Sequence, residues 1–518
     1  MTEDLGLLPE RAAATRVAVI GGGIGGLVAA REFAKVGMSV TLFEADDRLG
    51  GAVRSGEVAG LALDLGAESY ATRGGHVRAL IDDLGIADLV VEPGTGAGGA
   101  WVAGLPGGGA APLPVGGILG IPANPFAVDV RRVIGWSGAW RAYLDRVRPV
   151  LTIGRDRSLG HLVRTRLGRT VLDRLVAPVT NGVYSADPDD IDTDVAAPGL
   201  NGALTKTGSL LGAVDLLLHE RAQKAGAPGS AVEGLRGGMG RLIEALAAAL
   251  ADAGVRIRTA SPVTELAREE DGWRIVTPAA AESAHPEPAA AEPAEPAAPA
   301  PEPAAPEAPE RFDLVLVATE EHAARRLIAP HAAGLAPEPP RPGPVVHVAT
   351  LVLDAPELDA APRGTGVLTV PGSFTAKALT HATAKWGWVR DAAGPGRHVV
   401  RVSFGAQGSE PATRGLSDDA AAERALDQAG RLLGVPLRRE QLRGFALARF
   451  TQSQPAATIG RRDDARAARD AIRGVTGLGA AGAWLAGTGL AQVVPDAIAE
   501  ADRLRRVALW ADEPDAND

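Results

Sequence analysis

Residues Arg16 to Ile20 (RVAVI) are a short apolar run rich in β-branched side chains, a pattern that predicts a buried strand. Gly21 to Gly26 turns the chain, Leu27 to Val36 continues at helical spacing, and Gly37 closes the helix. Ser39 to Phe43 repeats the buried-strand pattern. Strand, helix and strand in this order predict a βαβ unit with a parallel sheet, and hence an α/β fold. Further along, Gly234 to Leu250 reads as a glycine turn into a helix and Val255 to Ile257 as a strand. VTELAREEDGWRIVT predicts a hairpin turning around Glu269 to Gly272, and FDLVLVATE another buried strand. Val345 to Leu353 and Val399 to Phe404 predict strands of a second sheet. Ser417 caps a helix with Asp418 and Asp419 in its first turn, and Gly434 ends it. GAWLAGTGLAQVVPDAIAEADRL predicts a strand, a glycine turn and a terminal helix.

Two segments break this alternation. Between Glu92 and Asp129 runs an uncharged stretch, including WVAGLPGGGAAPLPVGGILGIPANPF, whose Gly and Pro content excludes a helix. A meandering loop and the wall of an apolar ligand cavity both fit it. Asp129 to Leu172 then returns to helical spacing. Pro278 to Glu310 is Ala, Pro and Glu apart from Ser283 and His285, with no Lys, Arg, Phe, Trp or Tyr. It cannot bury enough apolar area to offset its chain entropy, so we expect a disordered acidic insert in a surface loop. Partner docking is the alternative role for it.

The chain of 518 residues is too long for one core, and two or three domains are expected. A net charge of −10 argues against nucleic acid as a partner, because phosphate contacts need a basic face. The absence of cysteine excludes disulfides, thiolate chemistry and a thioether-tethered cofactor. Nine histidines without ligand-like spacing predict no metal. The opening MTEDLGLLPERAAATR lacks a signal-peptide core, and no apolar run reaches the roughly 18–20 residues of a membrane helix. A cytoplasmic protein with no transmembrane segment is expected.

Gly21, Gly23 and Gly26 form G-x-G-x-x-G between the first strand and helix. The first glycine permits the turn, the second close approach of a pyrophosphate, and the third packing of helix on strand. Glu44 ends the second strand, where an acid binds a ribose hydroxyl and disfavours a 2′-phosphate.

From Glu44 to Gly51 the chain continues as E-x-x-x-R-x-G-G, which resembles the flavin amine oxidase superfamily. LDLGAES (Leu63 to Ser69), Val263 in the strand after LRGGMGRL, and GTGLAQVVPD (Gly487 to Asp496) resemble its other cofactor-contacting stretches. The resemblance implies a Rossmann-like FAD-binding domain, a second mixed or antiparallel-sheet substrate domain, and a helical subdomain. It implies FAD held non-covalently by Gly21, Gly22, Gly23, Ile24, Gly25, Gly26, Glu44, Ala45, Arg48, Gly50 and Gly51. Gly66, Ala67, Glu68, Ser69, Val263, Trp386, Gly487, Thr488, Gln492, Val493 and Val494 complete the implied set. The implied FAD domain is discontinuous, over 16–92, 226–277, 311–333 and 474–510. The helical subdomain would take 93–225 and the substrate domain 334–473, with tails at 1–15 and 511–518.

Within that superfamily, PVTNGVYSADPDDID (Pro178 to Asp192), LPVGGILGIP (Leu113 to Pro122) and KALTHATAKWGW (Lys377 to Trp388) resemble porphyrinogen oxidases. The last stretch is like the Gram-positive type, and the Arg- and Ala-rich composition suggests its actinobacterial branch. The resemblance implies oxidation of coproporphyrinogen III to coproporphyrin III in heme biosynthesis, by hydride transfer to FAD in three two-electron steps. Oxygen would be the acceptor and hydrogen peroxide the by-product. It further implies a ferrochelatase as downstream partner, and a monomer or homodimer. Arg73, Asn181, Tyr184, His381 and Lys385 are the implied substrate-pocket residues, with no single catalytic base assigned. For His381 a purely structural role is favoured, and for Trp386 packing in the second sheet is the alternative to stacking on the flavin. Protoporphyrinogen IX oxidation, amine oxidation and a non-catalytic porphyrin carrier stay open.

Overall fold

The computed structural model describes residues 4–148, 157–224, 231–270, 272–278 and 310–510. In chain order it opens with helix α1 (Asp4–Ala14), strand β1 (Arg16–Ile20), helix α2 (Ile24–Ala34) and strand β2 (Ser39–Phe43). Strands β3 (Ala100–Leu105) and β4 (Gly109–Pro112) precede helices α3 (Val128–Tyr143), α4 (Ala177–Tyr184) and α5 (Gly240–Asp252). Then come β5 (Arg256–Arg258), β6 (Leu314–Val317), β7 (Val345–Asp354), β8 (Gly366–Thr369) and β9 (Ala376–His381). Helix α6 (Ala382–Lys385), β10 (Arg397–Phe404), helix α7 (Asp418–Leu433), β11 (Leu442–Thr451), β12 (Leu478–Ala480) and helix α8 (Leu490–Trp510) finish the chain.

Two sheets organise the α/β fold that the sequence predicts. The first is parallel throughout, in the order β5-β2-β1-β6-β12. Its central strands β1 and β6 are buried nearly end to end, which is why their sequences are continuous apolar runs. Helix α2 buries Leu27, Val28, Ala30 and Phe33 in one core with β1, α5 and α8. The second sheet has the order β11-β7-β10-β9-β8-β3-β4, antiparallel except for the β8–β3 pair. On its outer face Leu351, Leu353, Val400, Val402 and Phe404 pack against Ala425, Leu426, Ala429 and Leu433 of α7. Ser417 caps α7 through its hydroxyl and Gly434 ends it in the left-handed conformation, both as the sequence predicts. The inner face carries Thr350 and its register partner Arg401, which reaches the Gly66 carbonyl. Helices between residues 128 and 224 close a third core around Val133, Leu162, Val171, Leu175, Leu211 and Val214.

Three expectations change. Residues 4–14, expected in a tail, form α1, with Ala12 buried in the first core and Arg11 donating to the Leu509 carbonyl at 3.2 Å. Part of the uncharged Gly/Pro stretch is sheet: β3 and β4 join the second sheet rather than the helical unit, and Gly104 at φ +89° sits within β3 where its register against β4 shifts. The last predicted strand falls at Leu478–Ala480, and Ala483–Ala486 is a helical turn. The insert expected over 278–310 lies outside the described residues except at its ends, where Glu310 pairs with Arg256 at 2.8 Å. Among the described residues no helix is long and apolar enough to cross a membrane.

Candidate functional site

The glycine loop leaves β1 at the centre of the first sheet. A Cβ on Gly26 would lie 1.8 Å from the Gly21 carbonyl oxygen, so no side chain fits there. A Cβ on Gly23 would meet nothing within 4 Å, so that glycine borders open space. Helix α2 starts at this point with no side-chain cap. Its first-turn N–H groups therefore face the space, the arrangement that holds a pyrophosphate. Glu44 accepts from the Gly22 N–H at 2.6 Å and from the Asp46 N–H at 2.8 Å. A carboxylate so used still has lone pairs for a ribose hydroxyl. The Gly50 N–H bonds the Gly22 carbonyl at 2.9 Å, docking Gly50 and Gly51 onto the loop. Ala45 and Arg48 sit exposed at its rim.

The start of α8 meets the start of α2: Val493 Cγ1 lies 3.2 Å from the place a Gly25 Cβ would take. Gly487 and Gly489, at φ +106° and +138°, shape the turn into α8, with Thr488 exposed and the Gln492 amide against Gly487. Val494 is buried in the core behind. Two helix N-termini thus converge on one region, where they favour negative charge. Val263 is not on a strand. Residues 260 and 261 hydrogen-bond back to Asp46 and Glu44, so the chain leaves the sheet after β5 and brings this loop beside Glu44.

The Gly66–Ser69 turn is held by partly buried charge. Glu68 receives Lys385 Nζ at 2.6 Å and Arg401 Nη1 at 2.7 Å, while Arg401 Nη2 donates to the Gly66 carbonyl at 2.5 Å. Burial alone would raise the Glu68 pKa; the Lys385 and Arg401 charges overcome it and hold it at about 2. Ala67 is fixed by its N–H to the Ala52 carbonyl at 3.0 Å. Lys385 is therefore committed to Glu68 and not free for a substrate carboxylate, a correction to the sequence-based expectation.

Trp386 is corrected as well. Only 2% exposed, it packs among Val58, Leu63, Val352 and Val399, which leaves no open face for a flavin. His381 lies on the wrong side of the sheet. It pairs in register with the outward Val400, whereas the inward Arg401 pairs with Thr380. Its Nε2 meets His398 Nδ1 at 3.0 Å, and His398 Nε2 meets Asp359 at 2.9 Å. Burial first, then His398, push its pKa down to about 4, so it is neutral. A cavity of about 650 Å³ opens beside this pair.

Arg73 lies within electrostatic range of Tyr184. Burial raises the Tyr184 pKa and the positive field of Arg73 opposes the rise. Arg73 is exposed, with no carboxylate partner among the described residues. Helix α4 carries Asn181, whose carbonyl accepts from the Ser185 N–H at 3.1 Å. It packs flush on β8, since a Cβ on Gly182 would lie 2.6 Å from Leu368 Cδ2. Two residues were missed. Arg401 interrupts the apolar strand RHVVRVSF at an inward position, and that break in alternation was the available signal. Lys377 donates to Ser185 Oγ at 2.5 Å, where burial lowers its pKa to about 8.

A family model described as flavin containing amine oxidoreductase matches residues 24–504. A protein of Mycobacterium tuberculosis named coproporphyrinogen III oxidase is 29% identical over 426 residues, 80% of this chain and 82% of its own length. A protein of the same name from Propionibacterium freudenreichii is 30% identical over 281 residues, 48% of this chain; the match spans about half, 52%, of that relative. Among solved structures, an Exiguobacterium sp. 255-15 protein provisionally named a protoporphyrinogen oxidase superposes with a TM-score of 0.77 at 24% identity, over 95% of this chain and 99% of its own.

Proposed function

The chain belongs to the flavin containing amine oxidoreductases, and on that premise we propose that it is an FAD-dependent porphyrinogen oxidase converting coproporphyrinogen III to coproporphyrin III. The observation that carries the reading is the pairing of two features. One is a glycine cradle open at Gly23. The other is a helix end at Tyr184–Ser185, where Lys377 donates to Ser185 and the positive field of Arg73 reaches Tyr184, neither cation having an acidic partner among the described residues. A tetrapyrrole with an apolar centre and acidic side chains suits such cations. The names of the mycobacterial and propionibacterial relatives agree with it.

Bound non-covalently, FAD supplies a two-electron acceptor; three rounds remove six hydrogens from the substrate, and three molecules of oxygen leave as hydrogen peroxide. The chain's own residues bind and orient. The first turn of α2 would take the pyrophosphate, Glu44 the ribose, and the α8 N-terminus would stabilise negative charge on the flavin. The Glu68–Arg401–Lys385 cluster fixes the Gly66–Ser69 turn against the second sheet. Arg73 holds a propionate at the rim as a planar guanidinium can, by two parallel hydrogen bonds. Three hydrides leave from meso carbons; two of the three protons leave from pyrrole N–H groups and the third from the remaining meso carbon by tautomerisation, and no protein base is assigned.

The test is aerobic turnover. Purified protein with flavin bound is mixed with coproporphyrinogen III, protoporphyrinogen IX or a set of amines, and porphyrin fluorescence and peroxide are followed against enzyme-free controls. Faster oxidation of coproporphyrinogen supports the reading. Preference for protoporphyrinogen overturns the substrate, and turnover of amines alone overturns the reaction.

A further inference from the structure

Lys377 is the least explained charge in the molecule. It is the extra residue of a bulge in β9: Ala376 pairs with Phe404, and the register then skips to Ala378 opposite Ser403. Bulges re-aim a side chain beside functional sites. This one is built firmly. The buried Thr369 hydroxyl donates to the carbonyls of Ala376 and Lys377 at 3.1 and 3.0 Å. The buried Gln428 side-chain oxygen accepts from the N–H groups of Thr375 and Ala376 at 3.2 and 3.3 Å. Two buried side chains are thus spent on fixing where one lysine points.

It points at the end of α4. Its ammonium donates to Ser185 Oγ, and Ser185 is held in the left-handed conformation at φ +53°. The Ser185 hydroxyl also bonds Gln452 at 3.3 Å, and the Ser185 carbonyl accepts from the Gln407 N–H at 2.7 Å. Every one of these partners is neutral. No carboxylate pairs with Lys377 among the described residues, in contrast to Lys385, which is saturated by Glu68. A desolvated ammonium without an anion is costly unless an anion arrives. Arg73 reaches the same helix end at Tyr184 but from the solvent side.

We propose that Lys377 is the buried counter-charge for a substrate carboxylate on the inner edge of the tetrapyrrole, and so selects a tetracarboxylate over a dicarboxylate. The inference rests on the porphyrinogen reading above and deepens it. A dicarboxylate can place both propionates at the rim near Arg73 and leave only vinyl groups inside. Against those apolar groups a lone ammonium is unfavourable. A tetracarboxylate brings acid to both edges, and its inner propionate replaces the Ser185 hydroxyl as the partner of Lys377.

The experiment titrates the flavin-loaded protein with coproporphyrin III and with protoporphyrin IX, following quenching of protein fluorescence, for wild type, Lys377→Met and Lys377→Arg. Lys377→Met is expected to lose about 10- to 100-fold in affinity for coproporphyrin, the usual size of a charged hydrogen bond. Its affinity for protoporphyrin should hold or rise, and Lys377→Arg should restore part of the loss. Wild-type affinity for coproporphyrin should also fall as pH rises through about 8, where the free lysine loses its proton, and the Lys377→Met curve should be flat there. A purely structural lysine would weaken both porphyrins alike and give no such pH limb. Should Lys377→Met not fold, the wild-type pH limb and Lys377→Arg decide. Equal loss for both porphyrins, or none for either, overturns the role of Lys377 while leaving the porphyrinogen reading standing. If wild type binds neither porphyrin, both readings fall.

Discussion

Replacing Glu68 by Gln removes the one anion shared by Lys385 and Arg401, whose side chains are only 20% and 9% exposed. The carboxyl normally titrates at 4.5 and is held at about 2 in the fold. That difference corresponds to about 3 kcal/mol of stabilisation. Breaking a buried pair from one side costs a similar amount, about 3–5 kcal/mol, because the remaining charges are stranded. Because the folded value lies below the unfolded one, the stabilisation is complete above pH 4.5 and is lost as pH falls towards 2. Urea denaturation of wild type and Glu68→Gln, each with flavin bound, measures it. At pH 7 the variant should be less stable by about 3 kcal/mol. Below pH 4.5 the gap should close by about 1.4 kcal/mol per pH unit. A gap under about 1 kcal/mol at pH 7, the size of an exposed ion pair, would refute the reasoning. So would a gap that did not change with pH.

Gly23 and Gly26 should fail differently. Gly26→Ala forces a Cβ against the Gly21 carbonyl and should lower both stability and flavin content. Gly23→Ala has room in the free protein and should melt like wild type, yet bind FAD at least about 10-fold more weakly because the methyl fills the pyrophosphate space. Calorimetry with and without added FAD separates the two. His381 is buried and neutral with its pKa depressed from 6.5 to about 4. Its folded value lies below the unfolded one, so its stabilisation holds above pH 6.5 and drains away between pH 6.5 and 4. His381→Gln should flatten that part of the stability profile, read by thermal melts, and leave kcat/KM within about 2-fold, since its side chain faces away from the inner groove.

The first sheet was legible because burial on both faces writes itself as unbroken apolar runs such as RVAVI and LVLV. The glycine cradle was legible for a stricter reason: at Gly21 and Gly26 only hydrogen fits, so the spacing itself carries the geometry. Strands β3 and β4 were hidden because Gly and Pro mask alternation, and the pairing of β3 with β8 is set by a partner far along the chain. His381 and Lys385 were drawn into the pocket by the stretch they share. One register step separates the sheet's two faces, and a single distant acid, Glu68, decides the fate of Lys385. Arg401 and Lys377 depend on tertiary partners 335 and 192 residues away in sequence, which no local pattern announces.

The measurement that tests the central claim most directly is anaerobic reduction of the bound flavin by one equivalent of coproporphyrinogen III in a stopped-flow instrument. The account predicts rapid bleaching of the oxidised flavin band, followed by return of the band and growth of porphyrin absorbance when oxygen is admitted. A flavin that stays oxidised with coproporphyrinogen III present, while dithionite reduces it readily, would contradict the account.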